Sequence, residues 1–62
     1  MDKDSLLQMD SNILLSIINM KLRDFYSNLE SLCRDIDIKE EELKEKLSLI
    51  GYEYNKKQNQ FK

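Results

Sequence analysis

Apolar residues recur at helical spacing in three separate stretches of the chain. In the first stretch they fall three and four positions apart, which predicts one buried helical face made of Ile13, Leu14, Ile17, Ile18, Leu22 and Phe25. Asp10 should cap this helix, because its carboxylate can accept hydrogen bonds from the free amides of the first turn. The apolar residues before Asp10 show no period. We therefore expect residues 1–9 to be a loose segment and residues 10–62 to form a single small domain.

Two shorter helices are predicted in the middle of the chain. Ser27 and Glu30 have the spacing of a capping box, so Ser27 should cap a second helix with the apolar stripe Leu29, Leu32, Cys33 and Ile36. Asp37 should form the turn after it, because aspartate tolerates the left-handed backbone region, and Ile38 should enter the core. A third helix begins with three glutamates at 40–42, and its buried stripe consists of Leu43, Leu47 and Ile50. It should end at Gly51, the residue type that most often follows a helix with a positive φ.

The period changes to two after Gly51, which is typical of a strand. Tyr52 and Tyr54 then lie on one face, residues 55–59 are polar and turn-like, and Gln60-Phe61 can return as a second strand. A lone hairpin is marginal in water, so its aromatic side chains should pack on the helices. The predicted fold class is α+β, mostly α: three helices with a C-terminal β-hairpin, like a winged helix-turn-helix. The alternative is a plain three-helix bundle with a frayed tail.

Composition narrows the class of protein. The 62 residues carry 12 acidic and 10 basic side chains, a net charge of −2 that does not favour a polyanionic main partner. No apolar run approaches the roughly 20 residues that span a bilayer, and the N-terminal stretch does not resemble a secretory signal. The single cysteine, Cys33, excludes an internal disulfide and is expected to be a small buried apolar residue. We expect a cytoplasmic protein.

The chain resembles a family of very short bacterial proteins, domain of unknown function 4250. The most specific matching segments are Lys21-Leu22-Arg23-Asp24, Ile50-Gly51-Tyr52-Glu53-Tyr54 and Asn59-Gln60-Phe61; the others are Leu14-Leu15-Ser16, Asn19, Tyr26, Leu29, Leu32-Cys33, Glu42-Leu43 and Glu45-Lys46-Leu47. The family pattern has Asp-Pro where Asp10-Ser11 stands here, and often Asp or Ser in place of Lys39. The resemblance covers about residues 9–61 and implies a cytoplasmic protein without an assigned activity.

No residue set in the sequence predicts catalysis. There is no histidine, and no serine or cysteine has an evident base, so general acid–base and nucleophilic chemistry lack their groups. No cofactor, metal site or small-molecule substrate is expected. The run of glutamates at 40–42 fits the positive end of a helix dipole better than a calcium loop.

Two binding functions remain. On a helix-turn-helix scaffold the third helix would present Glu40, Glu41, Lys44, Glu45 and Ser48 to DNA, a set with too many acids to face phosphates. Weak DNA binding would therefore depend on the hairpin and its surroundings, through Lys56, Lys57, Lys62 and Lys44. We favour a non-catalytic module that binds a protein partner or a second copy of itself. Its surface would use apolar residues outside the main stripe, namely Leu15, Met20, Leu6 and Leu7.

Overall fold

The computed structural model describes residues 3–62 and contains four helices followed by a two-stranded hairpin. In chain order the elements are α1 (Lys3–Gln8), α2 (Ser11–Asp24), α3 (Leu29–Ile36), α4 (Glu40–Ser48), β1 (Tyr54–Asn55) and β2 (Gln60–Phe61). The α+β, mostly α class is confirmed. The three helices expected from the sequence correspond to α2, α3 and α4, and α1 is an additional element.

The core is built from one face of every helix, the turn after α3 and the last strand. Its buried members are Leu6, Leu14, Ile18, Leu22, Leu29, Leu32, Cys33, Ile38, Leu43, Leu47 and Phe61. All eleven are apolar or weakly polar, so their removal from water drives the fold.

Helix α1 corrects the expectation of a loose segment at residues 1–9. Lys3–Gln8 is helical, and Leu6 is only 1% exposed in the core; Met1 and Asp2 lie outside the described residues. A helix of six residues is too short to be stable alone and too short to show a period in the sequence. It forms here because Leu6 is buried against the other helices and Leu7 packs beside it.

Helix α2 begins as predicted and has a narrower buried face than predicted. The Asp10 carboxylate accepts hydrogen bonds from the amides of Asn12 and Ile13 at 3.0 and 3.2 Å. Residues Leu14, Ile18 and Leu22 are buried. The prediction that Ile13 and Phe25 share this face is wrong, since they are 56% and 70% exposed. Phe25 falls outside the stripe because the helix ends at Asp24 and the backbone changes direction there.

Helix α3 begins one residue later than predicted. Its cap is Asn28, whose Oδ1 accepts a hydrogen bond from the Ser31 amide at 2.7 Å, so the assignment of Ser27 as the cap is wrong. Asp37 ends the helix with φ at +58°, and the Ile38 amide donates to the Cys33 carbonyl at 3.0 Å. The left-handed turn at Asp37 is confirmed.

The chain leaves helix α4 through a turn in which Gly51 has a positive φ. Gly51 has φ of +83°, the Tyr52 amide donates to Leu47 O at 3.1 Å, and the Gly51 amide donates to Ser48 O at 3.0 Å. These two bonds are the Schellman pattern, which satisfies carbonyls that the helix leaves free. The positive φ predicted for Gly51 is confirmed.

The chain finishes in an antiparallel hairpin that packs on α2. Tyr54 is opposite Phe61, and Glu53 and Lys62 exchange two backbone hydrogen bonds at 3.1 and 2.9 Å. Phe61 is 2% exposed, and its ring centroid lies 5.5 Å from that of Tyr54. Tyr52 and Tyr54 are half-buried against the core. The hairpin and its aromatic contacts are confirmed, and the alternative with a frayed tail is wrong.

Candidate functional site

Asn19 of α2 fastens the second strand of the hairpin. Its Oδ1 accepts from the Phe61 amide at 2.7 Å, and its Nδ2 donates to the Phe61 carbonyl at 3.1 Å. Both backbone groups point away from β1, so the amide side chain occupies the place that a further strand would take. An unpaired strand edge is thereby satisfied by a helix side chain.

Asn59 fastens the hairpin turn to the end of α2. Its Nδ2 donates to Leu22 O at 3.0 Å and to Tyr26 O at 2.9 Å, and its Oδ1 accepts from the Tyr54 hydroxyl at 2.6 Å. The last carbonyls of a helix have no amide partner within it, so Asn59 caps α2 from a distant part of the chain. The Tyr54 oxygen also accepts from the Leu29 amide at 3.3 Å, which joins the start of α3 to the same cluster.

The docked hairpin and α2 together form an open groove of about 700 Å³. Its lining comes from α2 and from the C-terminal segment, and consists of Leu15, Ser16, Asn19, Met20, Leu22, Arg23, Tyr52, Gln58, Asn59 and Gln60. We call this surface the α2–hairpin groove. Among these described residues Arg23 is the only charged one; the others are apolar or hydroxyl- and amide-bearing.

Exposure and charge vary along the α2–hairpin groove. Leu15 and Tyr52 are half-buried, whereas Met20 is 37% exposed and Gln58 is at the surface. Arg23 makes two hydrogen bonds of 3.0 Å to Asp24, which raise the pKa of the guanidinium and lower the pKa of the carboxyl. The lining can bury apolar groups and exchange amide hydrogen bonds, and it holds no pair of groups that could transfer a proton.

The outer face of α4 lies beside β1 and carries mixed charge. One groove there is lined by Lys44, Glu45, Ser48, Glu53 and Tyr54, and a second is lined by Asn28, Leu29, Glu30, Glu40, Lys44, Tyr54 and Lys56. The structure thus brings together Lys44 and Lys56, two of the four lysines predicted to contact nucleic acid, and surrounds them with four glutamates. Lys57 and Lys62 are exposed but line neither groove.

The four apolar residues predicted to form a partner surface are divided by the structure. Leu15 and Met20 lie together in the α2–hairpin groove. Leu6 is buried in the core, so its assignment to a surface is wrong, and Leu7 is half-buried against the core. Tyr52, Gln58 and Gln60 also line this surface, although the sequence did not predict them there. All three lie in or near the C-terminal segments that carry the family resemblance.

Cys33 is buried, as predicted. It is 3% exposed, and desolvation, with a smaller contribution from the charge of Glu40, raises the pKa of the thiol to about 11. The thiol is therefore protonated at neutral pH and a poor nucleophile. Within residues 3–62 no group of three histidine, cysteine or acidic side chains is arranged to hold a metal ion. None of the described helices is long and apolar enough to cross a bilayer.

A comparison with known protein families found a match. The model of a family described as Domain of unknown function (DUF4250) matches residues 8–61. No curated protein and no solved structure matches the chain. The match includes α2, α3, α4 and the hairpin, and with them every residue of the α2–hairpin groove.

Proposed function

Because the chain belongs to the DUF4250 family, whose description assigns no activity, we propose a function from the geometry: a non-catalytic module that binds a protein partner in the α2–hairpin groove. The observation that supports this proposal is the groove's lining, where Leu15, Met20 and Tyr52 lie among amide side chains. Surfaces that combine apolar and aromatic groups with a few hydrogen-bonding groups are typical of interfaces. We propose that the module acts in the cytoplasm, a reducing compartment in which its one cysteine would stay a free thiol.

The lining also indicates which partner segment would fit. Apolar side chains of the partner would cover Leu15 and Met20, and its backbone would exchange hydrogen bonds with Gln58 and Gln60. Arg23 is the one charge in the described lining, and its side chain is 74% exposed although it bonds Asp24, so an acidic side chain of the partner would share this guanidinium. We therefore expect a short peptide segment that is apolar and carries a carboxylate.

Site-specific photocrosslinking tests this proposal. A benzoylphenylalanine residue replaces exposed Gln58 in the groove or, as a matched control, exposed Glu41 on α4, and each protein is irradiated in lysate. We expect a discrete protein adduct from position 58 that excess unlabelled protein competes away and that Arg23→Glu weakens. Position 41 should give no such adduct. Equal adducts at both positions, or none at 58, would contradict the use of the groove.

A second candidate function is weak DNA binding on a winged helix-turn-helix-like scaffold. It is favoured by the order α3, turn, α4, hairpin and by exposed Lys56 and Lys57 in the hairpin turn. It is disfavoured by the glutamates around Lys44 and Lys56, since phosphate contacts carry much of the affinity for DNA. DNA binding predicts a duplex affinity that falls with salt and falls further for Lys56→Glu with Lys57→Glu. Flat fluorescence-anisotropy titrations at low salt would exclude it.

A further inference from the structure

Helix α2 carries a second apolar surface on the side that faces away from the core. Ile13 is 56% exposed, Met20 is 37% exposed, and Ile17 between them is half-buried. Their spacing of four and three residues places them in one row along the helix, beside the buried row that begins with Leu14. We call Ile13, Ile17 and Met20 the outer stripe. A 4–3 spacing of apolar residues is the pattern by which two helices pack along a common seam.

We propose that the outer stripe pairs antiparallel with the outer stripe of a second copy of this chain, forming a weak symmetric homodimer. The inference goes beyond the proposed function, because it adds a second copy of this chain as a partner on a surface next to the α2–hairpin groove. Met20 belongs to both surfaces, so the dimer seam borders the groove.

Charge complementarity identifies the occupant and its direction. Helix α2 has an acid at its start, Asp10, and its last turn carries Lys21 beside Arg23 and Asp24, which bond each other. An antiparallel pair centred near residue 17 sets Ile13 against the partner's Met20 and brings Asp10 near the partner's Lys21, which lies on the same flank of the outer stripe. A parallel pair would instead place like charges together and align the two helix dipoles unfavourably. The stripe is therefore complementary to its own copy only in the antiparallel sense.

The size of the outer stripe sets the strength of the dimer. Three apolar side chains on a helix about 21 Å long cover less than the roughly 1,200 Å² that stable interfaces bury. Each contact occurs twice because of the two-fold symmetry. We expect a dissociation constant on the order of 100 μM, so the dimer is populated at high concentration and depends on each stripe residue.

Sedimentation equilibrium between about 10 μM and 1 mM tests the dimer. The wild-type mass should rise toward that of two chains, and Ile13→Lys should weaken association at least tenfold while leaving the helical circular dichroism unchanged. The matched control is Leu49→Lys, which removes a side chain that is 79% exposed but lies beyond α4. It should associate like the wild type. A monomeric wild type at 1 mM, or equal weakening by both variants, would overturn the proposal.

Oxidative crosslinking of introduced cysteines tests the direction. Near the two-fold axis of the antiparallel pair, Ser16→Cys should form a disulfide with its copy, whereas Asn12→Cys, about two and a half turns from the partner's residue 12, should not. Efficient crosslinking at both positions, or at neither, would contradict the antiparallel register and overturn the proposal. Photocrosslinking at position 58 in the Ile13→Lys protein separates the two claims. If the wild type is monomeric and this variant still gives the adduct, the binding groove is supported and the dimer is rejected. If the wild type dimerises and position 58 gives no adduct, the dimer is supported and the binding groove is rejected.

Discussion

Replacement of Asn59 is the sharpest test of how the hairpin is attached. The side chain makes three hydrogen bonds, two to the free carbonyls of Leu22 and Tyr26 and one from the Tyr54 hydroxyl. Its backbone has φ of +53°, a region that asparagine tolerates better than alanine. Asn59→Ala therefore removes the bonds and also introduces backbone strain.

The expected loss of stability follows from these contacts. Each of the three hydrogen bonds contributes about 0.5–1.5 kcal/mol of net stability. Because the bonded groups are only partly buried, water can replace some of the hydrogen bonds that the substitution removes. With the left-handed backbone added, Asn59→Ala should cost about 2–4 kcal/mol. A domain of 62 residues is stable by about 3–9 kcal/mol in all, so this one side chain holds a large share of the total. Asn59→Gly should cost about 0.5–1 kcal/mol less than Asn59→Ala, because glycine accepts the positive φ.

Urea unfolding followed by circular dichroism at 222 nm measures these free energies. Asn59→Asp keeps the shape of the side chain but points an oxygen at two carbonyl oxygens, so at pH 7 it should cost more than Asn59→Ala. This contact raises the folded pKa of the introduced carboxyl above its unfolded value of about 4, so the deficit relative to Asn59→Ala should shrink as the pH falls through the folded pKa and be smallest below about pH 4. Gln58→Ala, which loses one exposed bond to Gln60, should change stability by less than about 0.5 kcal/mol. Equal small effects of Asn59→Ala and Gln58→Ala would refute the attachment.

Three further predictions concern the turn after α4, the first helix and the buried thiol. Gly51→Val should lower the free energy of unfolding in urea by more than about 1 kcal/mol, and Gly51→Asn should lower it less. The reason is the backbone φ of +83°, since no described atom would crowd a Cβ at this position. Equal effects of the two substitutions would contradict backbone strain as the cause. Leu6→Ala should cost about 2–4 kcal/mol and half-buried Leu7→Ala well under half of that, and equally small losses would show that α1 is not docked. Below about pH 8 the Cys33 thiol is protonated in both the folded and the unfolded chain. Above about pH 8 the thiol of the unfolded chain loses its proton at a lower pH than the thiol of the folded chain. Wild type should therefore lose about 2–3 kcal/mol between pH 8 and pH 11 relative to Cys33→Ala, and parallel pH profiles would refute the raised pKa of about 11.

Features with a local cause were predictable from the sequence. The stripes of α2, α3 and α4 are periodic, and the left-handed residues Asp37 and Gly51 stand where their helices must end. Phe61 is expected in the core because a short hairpin needs an apolar anchor. In each case a few neighbouring residues determine the structure, so the pattern can be recognised without knowledge of the rest of the chain.

Features that depend on distant contacts were not predictable. Asn19 and Asn59 are ordinary polar residues in sequence, and their roles arise from bonds across 42 and 37 positions. Ser27 and Asn28 are both good caps, and the choice between them accompanies a tertiary contact, the Tyr54 hydroxyl on the first amide of α3. Helix α1 likewise depends on a core that other helices build. The α2–hairpin groove consists of such contacts, so the sequence predicted only two of its apolar residues, Leu15 and Met20, as a surface.

The groove exists only if the hairpin is held on α2 in solution, and amide hydrogen exchange of Phe61 measures this directly. The Phe61 amide donates to Asn19 and not to the other strand, whereas the Glu53 amide donates within the hairpin. Heteronuclear NMR exchange should show strong protection of the Phe61 amide, comparable to that of α2 amides such as Leu22, and Asn19→Ala should abolish it. If Phe61 exchanges at the rate of a free peptide while the helix amides stay protected, the hairpin is not docked and the proposed binding site does not form.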